Sequence, residues 1–270
     1  LFIVPRMRPN GDGTMAFNDV NTAGMFHKMG YHGAPIAHLM MGENKDCHGY
    51  LVGEEHKGLS YMFQMMNEAR IGVGNNATSI ASAAYYNSLE YANVRLQGRK
   101  VTEKDPLKPQ TAIINHADVK RMLLFQKAVV EGSLSLVMQA TMYYDLWHSS
   151  TGPEKEKYQL LIELLTPMVK SYPAEMSILT TSTALQVFGG YGFTKEYLAE
   201  LFFRETRIHT LHEGTTAIHG MDLLGRKVMM KNGQATMLLM QEVMQDIEKA
   251  KNYEPLKPYA ATLTNKLVAL

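Results

Sequence analysis

The sequence predicts an α+β chain. A small β segment occupies residues 1–58, an antiparallel all-α helical bundle 59–228, and further helix 229–270. The first stretch is broken by Gly, Pro, Asn and His at intervals too short for helices. Beyond Gly58, apolar residues recur at helical spacing over long windows. Hydrophobic residues make up 46% of the chain, enough to close a core between such helices.

The elements follow in order. Phe2 to Val4, Ile36 to Met41 and His48 to Val52 are short apolar runs lying among turn signals such as Asn10-Gly11-Asp12-Gly13 and Gly53-Glu54-Glu55, the pattern of short strands and hairpins. Leu59 to Gln97 reads as a helix through Ile71, Ile80, Ala84 and Leu89, and Gly72 and Gly74 inside it predict a kink or a close helix approach. Arg99 to Asn115, with Pro106 and Pro109, reads as a loop. A second helix is expected over Ala117 to Trp147, with Val119, Leu123, Val130, Leu134 and Val137 along one side. The third helical region, Glu154 to Phe188, is expected to break at Pro167 and Pro173 and to stop at Gly189-Gly190-Tyr191-Gly192. Helices over Lys195 to Arg207, Thr216 to Met230 and Gln234 to Lys251 complete the reading. Leu1 to Pro5 reads as a strand already under way and Thr264 to Leu270 as a helix cut short, so a piece of a longer protein is expected.

Composition narrows the function. Lys plus Arg is 27 and Asp plus Glu 26, so no global field favours a nucleic-acid backbone or an anionic membrane. The single cysteine, Cys47, excludes an internal disulfide framework and a Cys-based zinc site. It fits a reducing compartment, a bacterial cytoplasm or an organelle matrix. No apolar run approaches the roughly 20 residues that span a bilayer. The 20 methionines suit irregular packing.

Residues able to carry chemistry concentrate in His209 to His219. Thr215 suits a helix N-cap, and a carboxylate just before a helix start is favoured by the dipole. The same residues suit a second role. Gly214 allows a sharp turn that throws Glu213 into a cavity, where desolvation would favour a base. A zinc site is not expected: the zincin pattern needs two His four residues apart on an unbroken helix, and Gly214 falls between His212 and His219. Gln186 to Gly192 reads as a helix C-cap or as backbone able to approach a phosphate or a planar ring; without a preceding strand it is no dinucleotide fingerprint. Arg95 and Arg99 stand near a helix C-terminus, where cations suit the dipole and a guanidinium suits a pyrophosphate. Arg70 faces the expected core and needs a partner there.

The order of these motifs is more informative than any one of them. Lys28-Met29-Gly30-Tyr31-His32-Gly33, Asn67-Glu68-Ala69-Arg70, Arg95-Leu96-Gln97, Gln186-Val187-Phe188-Gly189-Gly190, Phe203-Arg204-Glu205-Thr206-Arg207 and His212-Glu213-Gly214-Thr215 follow one another along the chain. Together they resemble the acyl-CoA dehydrogenase family from the end of its middle β domain through its C-terminal bundle, over residues 1 to about 228. The run from Glu213 to Lys227 is similar to the branch of longer enzymes that includes 3-methylmercaptopropionyl-CoA dehydrogenase and some fatty-acyl-CoA dehydrogenases, which carry an extra helical domain.

The resemblance implies α,β-desaturation of an acyl-CoA thioester. Glu213 would be the base and FAD the hydride acceptor. Arg95, Gln97, Gln186, Gly189 and Gly190 would reach the FAD of a neighbouring subunit, and Thr215 would contact the flavin. Asn67, Arg70 and Gly214 would bind the acyl-CoA. It also implies a homodimer or homotetramer and an electron-transfer flavoprotein, or a similar protein, as acceptor. Three positions depart from the family pattern: Gly98 follows Gln97 in place of Phe, His212 replaces the Tyr before the base, and Ala217 replaces a flavin-contacting Gln. Most contacts to the flavin ring are implied to lie in segments preceding residue 1, so this chain alone is expected to hold FAD weakly and not to turn over. The alternative is a catalytically inactive helical oligomerisation module of the same fold.

Overall fold

The computed structural model describes residues 1–268. The strands form antiparallel pairs: β1 (Phe2–Ile3) with β6 (Tyr50–Leu51), β2 (Met7–Pro9) with β3 (Met15–Phe17), and β4 (Val20–Met25) with β5 (Ala37–Met41). A polar hub joins these ribbons. Buried Asn18 donates from Nδ2 to Pro5 O at 2.7 Å and His48 O at 2.9 Å, and its Oδ1 accepts from the His48 amide at 2.9 Å. Buried Asp19 accepts from the backbone and side chain of Asn44 at 2.6 and 2.9 Å. The Asn18 bonds to His48 cross between ribbons and the Asp19 bonds close the end of the β4–β5 ribbon, so buried polar contacts fix the segment where an apolar core would otherwise be needed. Apart from buried Val20, large apolar side chains of the strands face outward, Phe2, Ile3 and Met25 being 67, 60 and 68% exposed.

The change from strand to helix falls at Gly58. Helices α1 (Gly58–Val94), α2 (Ala117–Ser149) and α3 (Gly152–Phe188) pack against one another. Their core has one cluster around Tyr85, Ile113, Leu123 and Val187 and another around Val137, Leu161, Leu165 and Val169. Helix α4 (Ala199–Thr206) lies against α3 and α1, and α5 (Thr216–Asp222) against α3. Helix α6 (Gln234–Ala250) packs on α3 through Leu160, Leu164 and Ala235. Helix α7 (Lys257–Val268) closes on α6 through Ile247, Ala260 and Leu267. It takes up part of the terminal helix expected from the sequence, whose last residues, Ala269 and Leu270, lie outside the described range.

The expected break of the third helix at its prolines is corrected: α3 runs unbroken through Pro167 and Pro173. A proline removes one i→i−4 bond and frees one carbonyl, and tertiary contacts can absorb that loss. Pro173 frees the carbonyl of Val169, and a Cβ at Gly74 would collide with that oxygen. Gly74 is therefore the close helix approach foreseen in α1, where backbone meets freed backbone carbonyl. A Cβ at Gly72 would meet no neighbouring element within 4 Å among the described residues. The helix expected over Thr216 to Met230 is also shorter. It passes after Asp222 into a π turn, Leu223–Lys227, within which buried Lys227 reaches Glu163 at 3.1 Å. Likewise the helix expected from Lys195 starts at Ala199 and ends in a 3-10 turn, Arg207–Thr210.

The loop before β5 ties the β segment to the bundle. Arg204 donates to Met29 O at 2.9 Å, and the Tyr31 amide donates to Glu205 at 2.7 Å. A Cβ at Gly30 would lie 2.8 Å from Glu205 Oε1, so a side chain there would have to displace the carboxylate that holds the Tyr31 amide.

Candidate active site

The turn between the 3-10 segment and α5 is built on backbone that side chains rarely adopt. Glu213 has φ 55° and Gly214 φ 93°. Non-glycine residues at positive φ are uncommon and need external support. Two buried side chains supply it. Lys170, fully buried in α3, donates from Nζ to the carbonyl of Gly214. His219, buried in α5, lies with Nε2 3.0 Å from the carbonyl of Glu213. A carbonyl only accepts, so Nε2 carries the proton. A Cβ at Gly214 would stand 3.0 Å from that same nitrogen, a second reason for glycine.

Charge around the turn is organised in layers. Burial pushes the Lys170 ammonium down from its ordinary range; Glu175 and Glu213 oppose this while Arg70 adds to it. Burial likewise lowers His219, with Arg70 and Lys170 working in the same direction. Arg70, buried in α1, faces Asp222 at 3.9 Å, and Arg226 holds the other oxygen of Asp222 at 2.7 Å. His209 is fully buried and lowered to about 4, chiefly by burial. Its Nδ1 donates to Thr206 O at 3.0 Å, and its Nε2 accepts from the Tyr31 hydroxyl at 3.1 Å, which suits a neutral ring.

Glu213 itself is half-buried rather than enclosed. Thr215 occupies the N-cap position of α5, but its hydroxyl makes no capping bond and the residue is exposed. His212 turns its Nδ1 back to Ile208 O at 2.8 Å. No cluster of three or more His, Cys, Asp or Glu placed to hold a metal ion occurs among the described residues. An apolar cleft of about 500 Å³ behind α5 is lined by Met168, Tyr172, Met176, His219 and Leu223, without Glu213.

A second region lies at the C-terminal ends of α1 and α3. Arg95, Gln97, Gly189 and Gly190 line one groove of about 480 Å³ with Tyr91, Phe188 and Tyr191. Tyr91 and Phe188 stack with centroids 4.4 Å apart, and the Arg95 guanidinium lies 5.6 Å from the Tyr191 ring centre. Buried Arg95 Nε has no hydrogen-bond partner among the described residues. The strand-like segment from Arg95 is held by Ile113, whose amide donates to Arg95 O, and by Thr111, whose carbonyl accepts from the Gln97 amide and whose amide donates to Gly98 O. Gly189 has φ 60°, and nothing would crowd a Cβ at Gly190, so this backbone faces open space. Gly192 differs: a Cβ there would meet the Leu185 carbonyl, so it closes the turn onto α3.

The remaining residues singled out in the sequence go elsewhere. Gln186 lines a neighbouring groove of about 410 Å³ with Arg121, Leu179 and Thr183. Asn67 lines a cleft of about 470 Å³ with Phe63, Tyr144 and Trp147, while Arg70 points inward to Asp222. The structure thus joins Arg95, Gln97, Gly189 and Gly190, and leaves Gln186 and Asn67 apart from them. Lys170, His219 and Asp222 were not singled out for this turn from sequence. For Lys170 a signal existed, a lone lysine beside Met168 and Val169 in the apolar run of α3.

The family model described as "Acyl-CoA dehydrogenase, C-terminal domain" matches residues 56–229. The chain belongs to the acyl-CoA dehydrogenase family. It is 41% identical over 239 residues to a butyryl-CoA dehydrogenase of Syntrophomonas wolfei, covering 86% of this chain and 39% of that protein. It is 39% identical over 237 residues to 3-methylmercaptopropionyl-CoA dehydrogenase of Ruegeria pomeroyi, covering 87% of this chain and 39% of that protein. The chain therefore spans about two fifths of the length of these acyl-CoA dehydrogenases. A solved structure of Caenorhabditis elegans ACDH-11 in complex with C11-CoA shares the fold, with a TM-score of 0.74 at 18% identity over 97% of this chain and 42% of that one.

Proposed function

We propose that this chain is the base-bearing part of a flavin-dependent acyl-CoA dehydrogenase, with Glu213 as the base that takes the α-proton of an acyl-CoA thioester. The observation that carries the reading is the left-handed Glu213–Gly214 turn, a strained conformation supported by buried donors from α3 and α5. Strain of this kind persists where the surroundings over-determine it, and it clusters at functional sites. A thioester α-proton is weakly acidic, so its removal needs a carboxylate held in reach and shielded from water. A half-buried Glu213 at a fixed turn meets the first need, and a bound acyl chain would contribute to the second.

The cofactor is proposed to be FAD. The groove of Arg95, Gln97, Gly189 and Gly190 fits it: an unpartnered buried guanidinium nitrogen suits a pyrophosphate oxygen, and open glycine backbone admits close approach. When bound, the flavin would supply a hydride acceptor for the β-hydrogen. Arg95 would then hold the phosphates while the exposed Thr215 hydroxyl remains free to donate near the base. Gln186 is proposed to contact the same cofactor from the adjoining groove, Asn67 and Arg70 to serve the acyl-CoA, and a neighbouring copy of the chain to complete the site. An electron-transfer flavoprotein is proposed as the physiological acceptor.

The alternative is an inactive helical oligomerisation module. An acyl-CoA panel of increasing chain length, added anaerobically to the flavin-loaded full-length protein of which this chain is the base-bearing part, separates the two. Bleaching of the oxidised flavin bands by one or more thioesters is expected. Flavin binding without bleaching by any of them, or no flavin binding, would favour the inactive module.

A further inference from the structure

We infer that Lys170 and His219 are positioning residues that set the direction of the Glu213 carboxylate by clamping two successive backbone carbonyls. The inference rests on the reading of Glu213 as base. Lys170 Nζ donates to Gly214 O from α3, and His219 Nε2 donates to Glu213 O from α5, so the two peptide units that flank Gly214 are gripped from two different helices. The bond to the Glu213 carbonyl fixes the plane of the Glu213–Gly214 peptide, and so restricts the rotation about Glu213 ψ that sets the direction of its Cα–Cβ bond. Without the two bonds, φ values of 55° and 93° have no support in the turn's own local sequence beyond the glycine. Both donors are buried and reach the turn from the interior, so neither needs to touch substrate.

The two donors are themselves held in place. Lys170 sits in α3 between Pro167 and Pro173, where the helix is packed against Gly74 of α1. His219 is one helical turn from the N-cap of α5, and its ring is wedged against Gly214. The arrangement therefore couples the packing of α1 and α3 to the orientation of one carboxylate. A displacement of ~1 Å in a reacting group costs on the order of 10²-fold in rate, so a clamp of this kind matters to chemistry without entering it.

The test uses the flavin-loaded full-length protein that contains this chain, and a conservative rescue. His219→Leu removes the donor and Lys170→Met removes the ammonium while keeping the apolar stem; His219→Gln keeps an amide able to donate to Glu213 O. Acyl-CoA-driven flavin reduction should slow by about 10- to 100-fold in His219→Leu and Lys170→Met, with the substrate concentration for half-maximal rate little changed. His219→Gln should recover to within about threefold of the parent protein. A second readout needs no turnover. Amide hydrogen exchange across residues 212–216 should accelerate in His219→Leu and Lys170→Met, stay near normal in His219→Gln, and be unchanged in Glu213→Gln. Equal exchange in all variants would overturn the clamp, as would a His219→Gln protein as slow as His219→Leu. Failure of the base reading has a different mark: normal flavin reduction by Glu213→Gln, with the exchange contrast intact.

Discussion

The Glu213 turn and the Arg95 groove are built in opposite ways. The carbonyls of the turn accept from buried side chains of α3 and α5, and the donors come from the packed interior. The groove lies at the surface, where Arg95 keeps an unpartnered nitrogen and the Gly190 backbone faces open space. The difference separates two tasks. Holding a base at a fixed angle requires polar groups already satisfied inside the fold. Holding a large cofactor requires groups left for the ligand to satisfy. Interior substitutions should therefore disturb the turn together with stability, while groove substitutions should disturb binding alone.

The largest stability effect is expected where interior packing beneath the turn is tightest. Gly74→Ala would drive a Cβ into the Val169 carbonyl and separate α1 from α3, which carry Arg70 and Lys170. A loss of about 3 kcal/mol is expected, read as a lower midpoint in chemical denaturation. An unchanged midpoint would show that the helices can part there without penalty.

Acid should act next on the same interior. His209 is lowered to about 4 in the folded chain, below the ordinary value near 6.5. The unfolded state binds the proton first, so the contribution is fully present above about 6.5 and drains away as pH falls towards 4. A loss on the order of 2–3 kcal/mol is expected across that window, and His209→Gln should flatten this part of the stability profile. An equally steep profile in the variant would assign the acid sensitivity to other groups.

The smallest effect on stability is expected in the groove. Arg95→Ala should leave the unfolding midpoint of the flavin-free protein within about 0.5 kcal/mol of the parent. Its FAD dissociation constant should rise about tenfold or more, because a charge-assisted bond is lost. Fluorescence titration of FAD measures this. An Arg95→Ala protein that binds FAD normally but unfolds early would reverse the contrast between the two regions.

Legibility from sequence follows the same division. His212-Glu213-Gly214-Thr215 was readable because the turn is contiguous and its glycine explains itself locally. Its supports were not, since Lys170 lies 44 residues from Gly214 in the chain and nothing local says which carbonyl it meets. His219 was noticed only as a possible metal ligand, whereas its ring serves as a hydrogen-bond donor to the backbone. The prolines of α3 read as breaks because propensity sees the lost bond and misses the packing that accommodates the freed carbonyl. The Asn18–Asp19 hub was likewise invisible, its partners lying up to 30 residues away. Arg95 and Gly189 line one groove, while Gln186 lies in the adjoining one through the facing of the last turn of α3.

The central claim is that Glu213 takes the proton while the groove only holds the cofactor. Anaerobic stopped-flow flavin reduction by acyl-CoA in Glu213→Gln tests it most directly, because this substitution keeps size and hydrogen bonding but removes the basic form. The expected result is FAD bound as in the parent protein and reduction slowed by about 10²–10⁴-fold. Reduction at the parental rate with FAD bound would contradict the account.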